Sequence, residues 1–484
     1  MNKKMIIRIL GIVMGVEAVL LLFPFIVGII YKENSGIHYL ITSILCAILY
    51  LLSSRIKVER KAIYAKDGFV ITSLAWITMS IMGAIPLFTS GDFPTYVDAL
   101  FEIVSGFTTT GSSVAKAVED LTHATLFWRS FSHWIGGMGV LVFILSVVKL
   151  QGDDHNMHIM RAESPGPIVG KLVPKIRNTA SLLYGIYTAM TLLLMLLLII
   201  TGMPLFDSIC NALGTAGTGG FGILNSGIAQ YDNVIWETII TIFMFLFGIN
   251  FNVYFFILMK DIKGALGCEE VKWYFIVTFT FIALITINLI PYYGNIFDAI
   301  RYSSFQVSSI ITTTGFASYD FNLWPQFSKT LLYILMFVGA CAGSTGGGVK
   351  ISRWMIMFKK LGNTISKLLH PRSVKIVTLE NKVVDEDVVN ETFVFFICFM
   401  LVFFTTFIIV SLDGFNLEST ISAVSACLGN VGPGFGMVGP MGNFSEFSAL
   451  SKIALSLAML FGRLEIFPMI ITLLPMTYRR NTKL

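Results

Sequence analysis

Four short stretches along the chain combine glycine with threonine, serine or asparagine and contain no charged residue. They read FTTTGSS at 107–113, GTAGTGGFG at 214–222, ITTTGFAS at 311–318 and GNVGPGFG at 429–436. Glycine allows the backbone to adopt positive φ and to turn its carbonyl groups inward, and threonine adds a hydroxyl oxygen without charge. Oxygens from four such turns could therefore replace the hydration shell of a monovalent cation.

The composition indicates that these turns belong to a membrane protein. Of the 484 residues, 55% are hydrophobic and 13% are charged, which is about half the charged fraction of a soluble domain. The 34 Lys and Arg residues against 29 Asp and Glu leave a net charge of +5, which is too small and too scattered for a nucleic-acid binder. We therefore exclude an ordinary soluble enzyme and expect no nucleic-acid partner.

Ten segments have, or nearly have, the roughly 20 mostly apolar residues that a helix needs to cross the hydrocarbon core. They lie at 5–30, 37–53, 68–88, 124–148, 179–201, 234–259, 273–291, 329–358, 391–411 and 448–475. In a ten-span arrangement most basic residues fall on one side, including those of segments 149–177 and 350–382. The positive-inside rule then predicts a multi-pass protein with both termini in the cytoplasm.

A repeated unit organises the last eight spans. Between the members of each pair lies an apolar segment too short to cross, at 98–107, 206–213, 297–311 and 417–428, and each leads into a glycine-rich stretch. Irregular backbone at membrane depth is tolerated only where it is buried in protein or lines a watery path. We predict an all-α polytopic fold with two N-terminal spans and four parallel repeats around a central pseudo-fourfold pore. Each repeat consists of a span, a pore half-helix and a second span. The predicted boundaries are 1–66 for the N-terminal spans, then 67–150, 151–262, 263–370 and 371–484 for the repeats.

Two features of the repeats have alternative explanations. Glycine, threonine and serine also allow helices to pack closely in membranes, although four such stretches in register favour an ion path. Each half-helix begins with a carboxylate, and the four are Asp98, Asp207, Asp298 and Glu418. We interpret them as partners of the N-terminal helix dipole in preference to an outer ring that attracts cations.

The motifs around these turns resemble one family along essentially the whole chain. The sequence is similar to the Trk/Ktr/HKT superfamily of K⁺ transporters, and most closely to its TrkH/TrkG branch, which also has two extra N-terminal spans. The matching motifs are TTTGSS at 108–113, WRSFSHWIGGMGVLV at 128–142, RAESPGP at 161–167, ITTTGF at 311–316, GACAGSTGGGVK at 339–350, NVGPGFG at 430–436 and GRLEIFP at 462–468.

The resemblance implies a K⁺ filter with one glycine per repeat. These glycines are Gly111, Gly220, Gly315 and Gly432, and the adjacent Gly219 leaves the choice in the second repeat open. The full set of predicted filter residues is Thr109, Thr110, Gly111, Thr218, Gly219, Gly220, Thr313, Thr314, Gly315, Asn430, Val431 and Gly432. None of the turns contains the TVGYG of tetrameric K⁺ channels, so we expect weaker selectivity against Na⁺. K⁺, as the transported ion, is the only metal ion that we expect.

The run GSTGGG at 343–348 interrupts the apolar segment 329–358. Six such residues cannot hold a regular helix well. The run is not a Walker A loop, because Val349 separates the last glycine from Lys350. The resemblance implies an intramembrane gating loop at 341–349, beneath the filter, and a packing kink is the alternative. The predicted gate residues are Gly343, Ser344, Thr345, Gly346, Gly347 and Gly348.

Arg463 is a charge within the last apolar segment. An unpaired arginine at that depth costs several kcal/mol, so its side chain should face a partner or a water-filled cavity. Glu465 lies on a different face of a helix and is a poor direct partner. The resemblance places Arg463 near the pore below the filter, where it would limit cation flux. A bond to a carboxylate or to carbonyl groups of another repeat is the alternative.

The sequence favours K⁺ uptake over two other functions. The first alternative is a symporter that couples K⁺ to H⁺ or Na⁺, although such transporters usually have inverted repeats and these repeats are parallel. The second is an intramembrane enzyme, which would need clustered His, Asp, Cys or serine and base side chains at membrane depth. We find no such cluster in the sequence and therefore expect no enzymatic activity.

The chain contains neither a Walker nor a Rossmann motif, so we expect no nucleotide to bind to it. The resemblance implies a cytosolic regulatory subunit of the Trk type that binds NAD and ATP, a homodimer of the membrane subunit, and a place in the inner membrane. The basic segments 149–177 and 350–382 could dock the regulatory subunit, and contact with anionic lipid headgroups explains their charge equally well.

Overall fold

The computed structural model describes residues 2–58, 64–139, 176–372, 375–380 and 382–478. In chain order its helices are α1 (Lys3–Leu20), α2 (Leu22–Tyr31), α3 (Ser35–Ser54), α4 (Ala65–Thr89), α5 (Tyr96–Phe107), α6 (His123–Gly137), α7 (Ile176–Ile200), α8 (Leu205–Gly217), α9 (Val234–Phe247), α10 (Phe251–Leu258), α11 (Ile262–Gly267), α12 (Glu269–Tyr293), α13 (Ile296–Ile311), α14 (Gln326–Val338), α15 (Ile351–Leu369), α16 (Glu386–Val410), α17 (Leu417–Leu428), α18 (Ala449–Arg463) and α19 (Phe467–Leu473). Two short strands, β1 (Thr378–Leu379) and β2 (Lys382–Val383), pair antiparallel between α15 and α16.

Six helical segments in these ranges are long and apolar enough to cross a membrane. They are Lys3–Tyr31, Ser35–Ser54, Lys66–Thr89, Ala180–Ile200, Glu269–Tyr293 and Glu386–Asp413. The bent pair of α9 and α10 is a seventh when it is counted as one span. The chain is an all-α polytopic membrane protein, as its composition and hydropathy predict.

Four of the short helices coincide with the four predicted short segments. They are α5, α8, α13 and α17, which we call half-helices 1 to 4. Local sequence explains where three of them begin, since the side chains of Thr95, Asn295 and Asn416 accept hydrogen bonds from backbone N–H groups of the first turn. Pro204 precedes half-helix 2 and cannot donate a backbone hydrogen bond itself.

The half-helices pack in a circle. Each one contacts the long helix that precedes it, and these pairs are α4 with α5, α7 with α8, α12 with α13 and α16 with α17. Each also contacts the helix that follows the previous half-helix, and these pairs are α6 with α8, α9 with α13, α14 with α17 and α18 with α5. Because α18 lies near the C-terminus and α5 near the N-terminus, the contacts close around one axis.

Two predicted spans are not continuous helices. The predicted span 234–259 is not one straight helix, since the chain bends by 91° between α9 and α10. At this bend the side chain of Asn250 caps α10, and the N–H of Phe251 donates to the carbonyl oxygen of Gly343 at 3.0 Å. The predicted span 448–475 also breaks, because Glu465 and Ile466 adopt positive φ between α18 and α19. Both breaks bond to segments far away in the sequence, at Gly343 and at Arg353. Local hydropathy does not reveal such contacts.

The predicted interruption of segment 329–358 is confirmed. Helix α14 ends at Val338, α15 begins at Ile351, and residues 339–350 between them are not helical. We call residues 339–350 the central loop. The end of the predicted span 124–148, the motif at 161–167 and most of the basic segment 149–177 lie outside the described residues.

Candidate ion pathway

The four glycine-rich turns that follow the half-helices share one backbone conformation. The first residue with positive φ is Thr109 (54°), Thr218 (53°), Thr313 (58°) or Asn430 (54°). Two residues later a glycine has positive φ, and these are Gly111 (84°), Gly220 (73°), Gly315 (83°) and Gly432 (101°). By this position Gly220, and not Gly219, is the counterpart of the other three glycines. Gly219 instead corresponds to the residue that precedes the glycine in the other turns.

The N–H groups of the turns are bonded back to their own half-helices. The residue before each glycine donates to a carbonyl oxygen in the last turn of the helix, and the pairs are Thr110 to Ser105 (2.9 Å), Gly219 to Gly214 (2.9 Å), Thr314 to Ser309 (2.8 Å) and Val431 to Ala426 (2.8 Å). These bonds satisfy the donors that a turn at membrane depth would otherwise leave without partners. The carbonyl oxygens of the turns are then the groups that can meet another chain segment or an ion.

The four turns touch one another in a closed ring, which we call the glycine ring. A Cβ atom placed on a ring glycine would lie 1.9–2.6 Å from a carbonyl oxygen of the next turn. The pairs are Gly111 with Gly219, Gly220 with Thr314, Gly315 with Val431, and Gly432 with Thr110. A side chain at any of these positions would overlap a carbonyl group, so only glycine allows the turns to approach this closely.

A cavity and the central loop lie at opposite ends of the glycine ring. The cavity has a volume of about 130 Å³ and is lined by the four ring glycines and by residues that follow them, such as Ser112, Phe221 and Pro433. The central loop instead meets residues that precede the glycines. The ring therefore separates the cavity from the loop.

The central loop lies directly against turns 3 and 4. The N–H of Gly347 donates to the Thr313 hydroxyl oxygen at 2.6 Å. A Cβ atom on Gly347 would lie 2.8 Å from the Gly429 carbonyl oxygen, and one on Gly346 would lie 2.8 Å from the Thr312 carbonyl oxygen. The glycines of the loop thus allow its backbone to fill the space under the ring.

Two polar atoms at the same level have no protein partner among the described residues. They are the hydroxyl oxygen of Thr109 and the amide oxygen of Asn430, and both side chains are fully buried. These residues occupy the same turn position as Thr313, whose hydroxyl bonds the central loop. Buried oxygens without hydrogen bonds are costly, so this end of the ring is suited to a water molecule or a cation.

Helices α9 and α10 support the central loop from the side. At their bend, the carbonyl oxygen of Gly248 accepts the N–H of Cys341 at 3.1 Å. The Thr345 hydroxyl donates to the Phe247 carbonyl oxygen at 3.2 Å. The Nζ atom of Lys350 contacts the carbonyl oxygen of Gly346 within the loop itself. The break in the predicted span 234–259 therefore supplies backbone groups that hold the loop.

Arg463 connects the central loop to α6. Its guanidinium donates to the carbonyl oxygen of Thr345 at 2.8 Å, and to those of Gly136 and Gly137 at 2.5 and 2.6 Å. Glu465 pairs instead with Arg353. Arg463 therefore bonds carbonyl groups of other repeats, as its alternative interpretation expects, and one of those carbonyls belongs to the predicted gate.

A buried ion pair beside the ring was not predicted from the sequence. Glu102 of half-helix 1 and Arg129 of α6 are almost fully buried, and Oε1 lies 2.7 Å from Nε. Glu102 also accepts the N–H of Val114 at 2.9 Å, and Arg129 donates to the Gly222 carbonyl oxygen at 3.2 Å. The pair thus joins the segments that leave turns 1 and 2. A glutamate in the short segment 98–107 and an arginine in the predicted span 124–148 were the signal that could have identified it.

The carboxylates at the start of the half-helices lie in the first helical turn, as predicted. Each is engaged by a protein group. Lys452 lies 2.6 Å from Asp98, the Tyr231 hydroxyl donates to Asp207 at 2.7 Å, the Asn295 amide donates to Asp298 at 3.2 Å, and Lys329 lies 3.5 Å from Glu418. These contacts agree with a role at the helix dipole.

The chain is similar to known proteins over nearly its full length. Residues 32–478 match the sequence model of the family TrkH, described as cation transport protein. The Trk system potassium uptake protein TrkH of Salmonella typhimurium is 33% identical, and the match covers 99% of this chain and 100% of that protein. TrkG of the Trk potassium uptake system of Escherichia coli is 31% identical, with 97% of each chain covered. The crystal structure of the potassium transporter TrkH from Vibrio parahaemolyticus has a TM-score of 0.89, 28% identity, and coverage of 99% and 100%.

Proposed function

The chain belongs to the TrkH family of cation transport proteins, and from this premise we propose that it takes up K⁺ through the glycine ring. Its relatives are named as potassium uptake proteins and not as enzymes. The chain is accordingly a multi-pass potassium transporter.

The closed ring of glycine and carbonyl contacts is the observation that carries the proposed path. Four turns with equal backbone conformation bring four carbonyl groups to one axis, where they can replace the water around K⁺. We assign the ligands to the backbone of Thr109–Gly111, Thr218–Gly220, Thr313–Gly315 and Asn430–Gly432. The N-terminal carboxylates of the half-helices are bonded to protein groups, so they are not assigned as ligands.

The central loop is the proposed gate. It fills the space below turns 3 and 4, where a hydrated ion would have to pass after leaving the ring. Backbone rich in glycine can move with little steric hindrance. We assign gating to Gly343–Gly348, with Arg463 as the charge that holds the loop and repels cations from the path.

Replacing Arg463 by alanine should increase K⁺ uptake. The substitution removes a positive charge and the bond to the Thr345 carbonyl oxygen. A hydrogen bond to a charged group contributes about 1.5–3 kcal/mol, so its loss should raise the rate roughly tenfold. K⁺ uptake by cells with equal amounts of each variant in the membrane measures this effect. Loss of the folded protein in Arg463→Ala, with uptake unchanged in Arg463→Gln, would instead indicate a structural role.

Control by a second polypeptide is also part of the proposal. The relatives belong to a named Trk system, and we assign to it a cytosolic subunit that binds NAD and ATP. We further propose a homodimer in the inner membrane with both termini in the cytoplasm. We place the docking of such a subunit on the basic segment 350–382, where Lys367 of α15 is exposed, while Lys359 and Lys360 are half-buried and paired with Glu269 and Glu386.

Growth of K⁺-uptake-deficient cells tests the function directly. Cells that produce this chain should grow at low external K⁺, and growth should depend on the presence of the protein in the membrane. Replacement of external Na⁺ and variation of pH in a reconstituted flux assay then separate passive flux from coupling to Na⁺ or H⁺. Failure of the chain to restore growth, although it is present in the membrane, would contradict the proposal.

A further inference from the structure

Glu270 is a buried carboxylate that contacts the first part of the central loop and the start of α15, which directly follows the loop. It lies in the first turn of α12, and its side chain is 4% exposed. Its Oε1 atom accepts the N–H of Ala342 at 2.7 Å and the N–H of Ser352 at 3.1 Å. These two donors lie on either side of the glycine run. A single oxygen atom on another helix therefore joins the segments on the two sides of the glycine run.

The contact with Ser352 also completes the start of α15. The first N–H groups of a helix have no partner within the helix. Lys350, at the N-cap position of α15, makes no capping bond with its side chain and has a φ of 77°. Glu270 thus replaces the missing cap, and its negative charge lies at the positive end of the helix dipole.

The neighbouring residue Glu269 has different contacts and provides a comparison. It is partly exposed, lies 2.5 Å from Nζ of Lys359, and accepts the N–H of Glu380 at 3.3 Å. None of these groups belongs to the central loop. Two adjacent carboxylates of the same helix therefore serve different segments, and only Glu270 is engaged with the loop.

We propose that Glu270 is the positioning residue of the central loop and holds it closed beneath the glycine ring. This inference rests on the proposed function, in which the loop is the gate. Because Glu270 binds Ala342 and Ser352 with one oxygen, the ends of the loop cannot separate while both bonds are made. Opening of the path requires that at least one of them breaks.

Flux of K⁺ into liposomes that contain the purified full chain tests the inference. Glu270→Ala should raise the flux roughly a hundredfold, because two hydrogen bonds to a charged acceptor are lost. Glu270→Gln should stay within about twofold of the wild type, since the amide oxygen still accepts both N–H groups. The matched control Glu269→Ala should also stay within about twofold, because it leaves the loop contacts intact.

The same substitution in a chain with a shortened glycine run tests the role of Glu270 separately from the proposed gate. When the run Gly343–Gly348 is shortened, Glu270→Ala should add no further flux, because the loop that it positions is already displaced. If the shortened loop alone leaves the flux unchanged, the gate proposal and the inference that rests on it both fail. If the shortened loop raises the flux but Glu270→Ala in the full-length loop does not, only the role of Glu270 is overturned.

Glu270→Asp keeps the inference testable if the alanine variant does not fold. Aspartate keeps the charge but is one methylene shorter, so it cannot reach both N–H groups. It should raise the flux by a smaller factor than the loss of both bonds. Wild-type flux in a folded Glu270→Asp variant would overturn the assignment.

Discussion

Shortening the run Gly343–Gly348 is expected to raise K⁺ flux by roughly a hundredfold. The central loop is held under the glycine ring by the bond from Gly347 to Thr313 and by the bond from Arg463 to Thr345. A neutral hydrogen bond contributes about 1 kcal/mol and one to a charged group about 1.5–3 kcal/mol. A loop that is too short to make both bonds loses this stabilisation of the closed state, and every 1.4 kcal/mol corresponds to a factor of about ten.

The measurement is K⁺ flux into liposomes, with Gly315→Ala introduced into the shortened chain as a control. The second substitution blocks the glycine ring, so it should abolish the additional flux if that flux passes through the ring. Flux that persists in the combined variant would be a leak elsewhere in the protein. A shortened variant that folds and conducts like the wild type would show that the loop is a packing kink and not a gate.

Replacing Gly315 by alanine is expected to lower K⁺ uptake about a hundredfold. A Cβ atom at this position would lie 2.2 Å from the carbonyl oxygen of Val431. The carbonyl must therefore move by about 1 Å, and a displacement of that size at a preorganised site costs about a hundredfold in rate. The φ of 83° at Gly315 adds strain, because an L-residue in the left-handed region costs roughly 1–2 kcal/mol.

Gly414→Ala is the matched control for this substitution. Gly414 has a φ of 75°, so alanine is strained there as well, but no atom lies within 4 Å of its Cβ position. Uptake should remain within about twofold of the wild type, because only the shared backbone cost is present. Equal loss of uptake in both variants would attribute the effect to stability and not to the glycine ring. Thermal unfolding of the purified proteins measures that stability.

Local features of the sequence were enough to identify the half-helices and their turns. Their apolar runs are short, and glycine follows each of them within a few residues. A turn of this kind depends on the backbone preferences of its own residues. The uncertainty between Gly219 and Gly220 remained because both are glycine, and only the observed φ and the contact of Gly220 with Thr314 distinguish them.

Helix breaks and charge partners were less accessible to sequence reasoning. The segment 234–259 is apolar throughout, so hydropathy predicted one span where the chain bends by 91°. The broken backbone finds its hydrogen bonds in the central loop, about a hundred residues away in sequence. Likewise, no local pattern pairs Glu102 with Arg129, or Glu270 with the N–H groups of Ala342 and Ser352, and these partners become evident only when the helices are packed.

The sequence by itself determined the membrane class, the short half-helices and the four uncharged glycine turns, because these depend on hydropathy and on the conformations open to each residue. The tertiary structure alone decided that the turns close into a ring and that the central loop lies beneath it. It also decided which carbonyl groups Arg463 binds, and which N–H groups Glu270 binds. These contacts join segments far apart in the chain, and the partner that a buried charge finds depends on how all the helices pack, which no local pattern encodes.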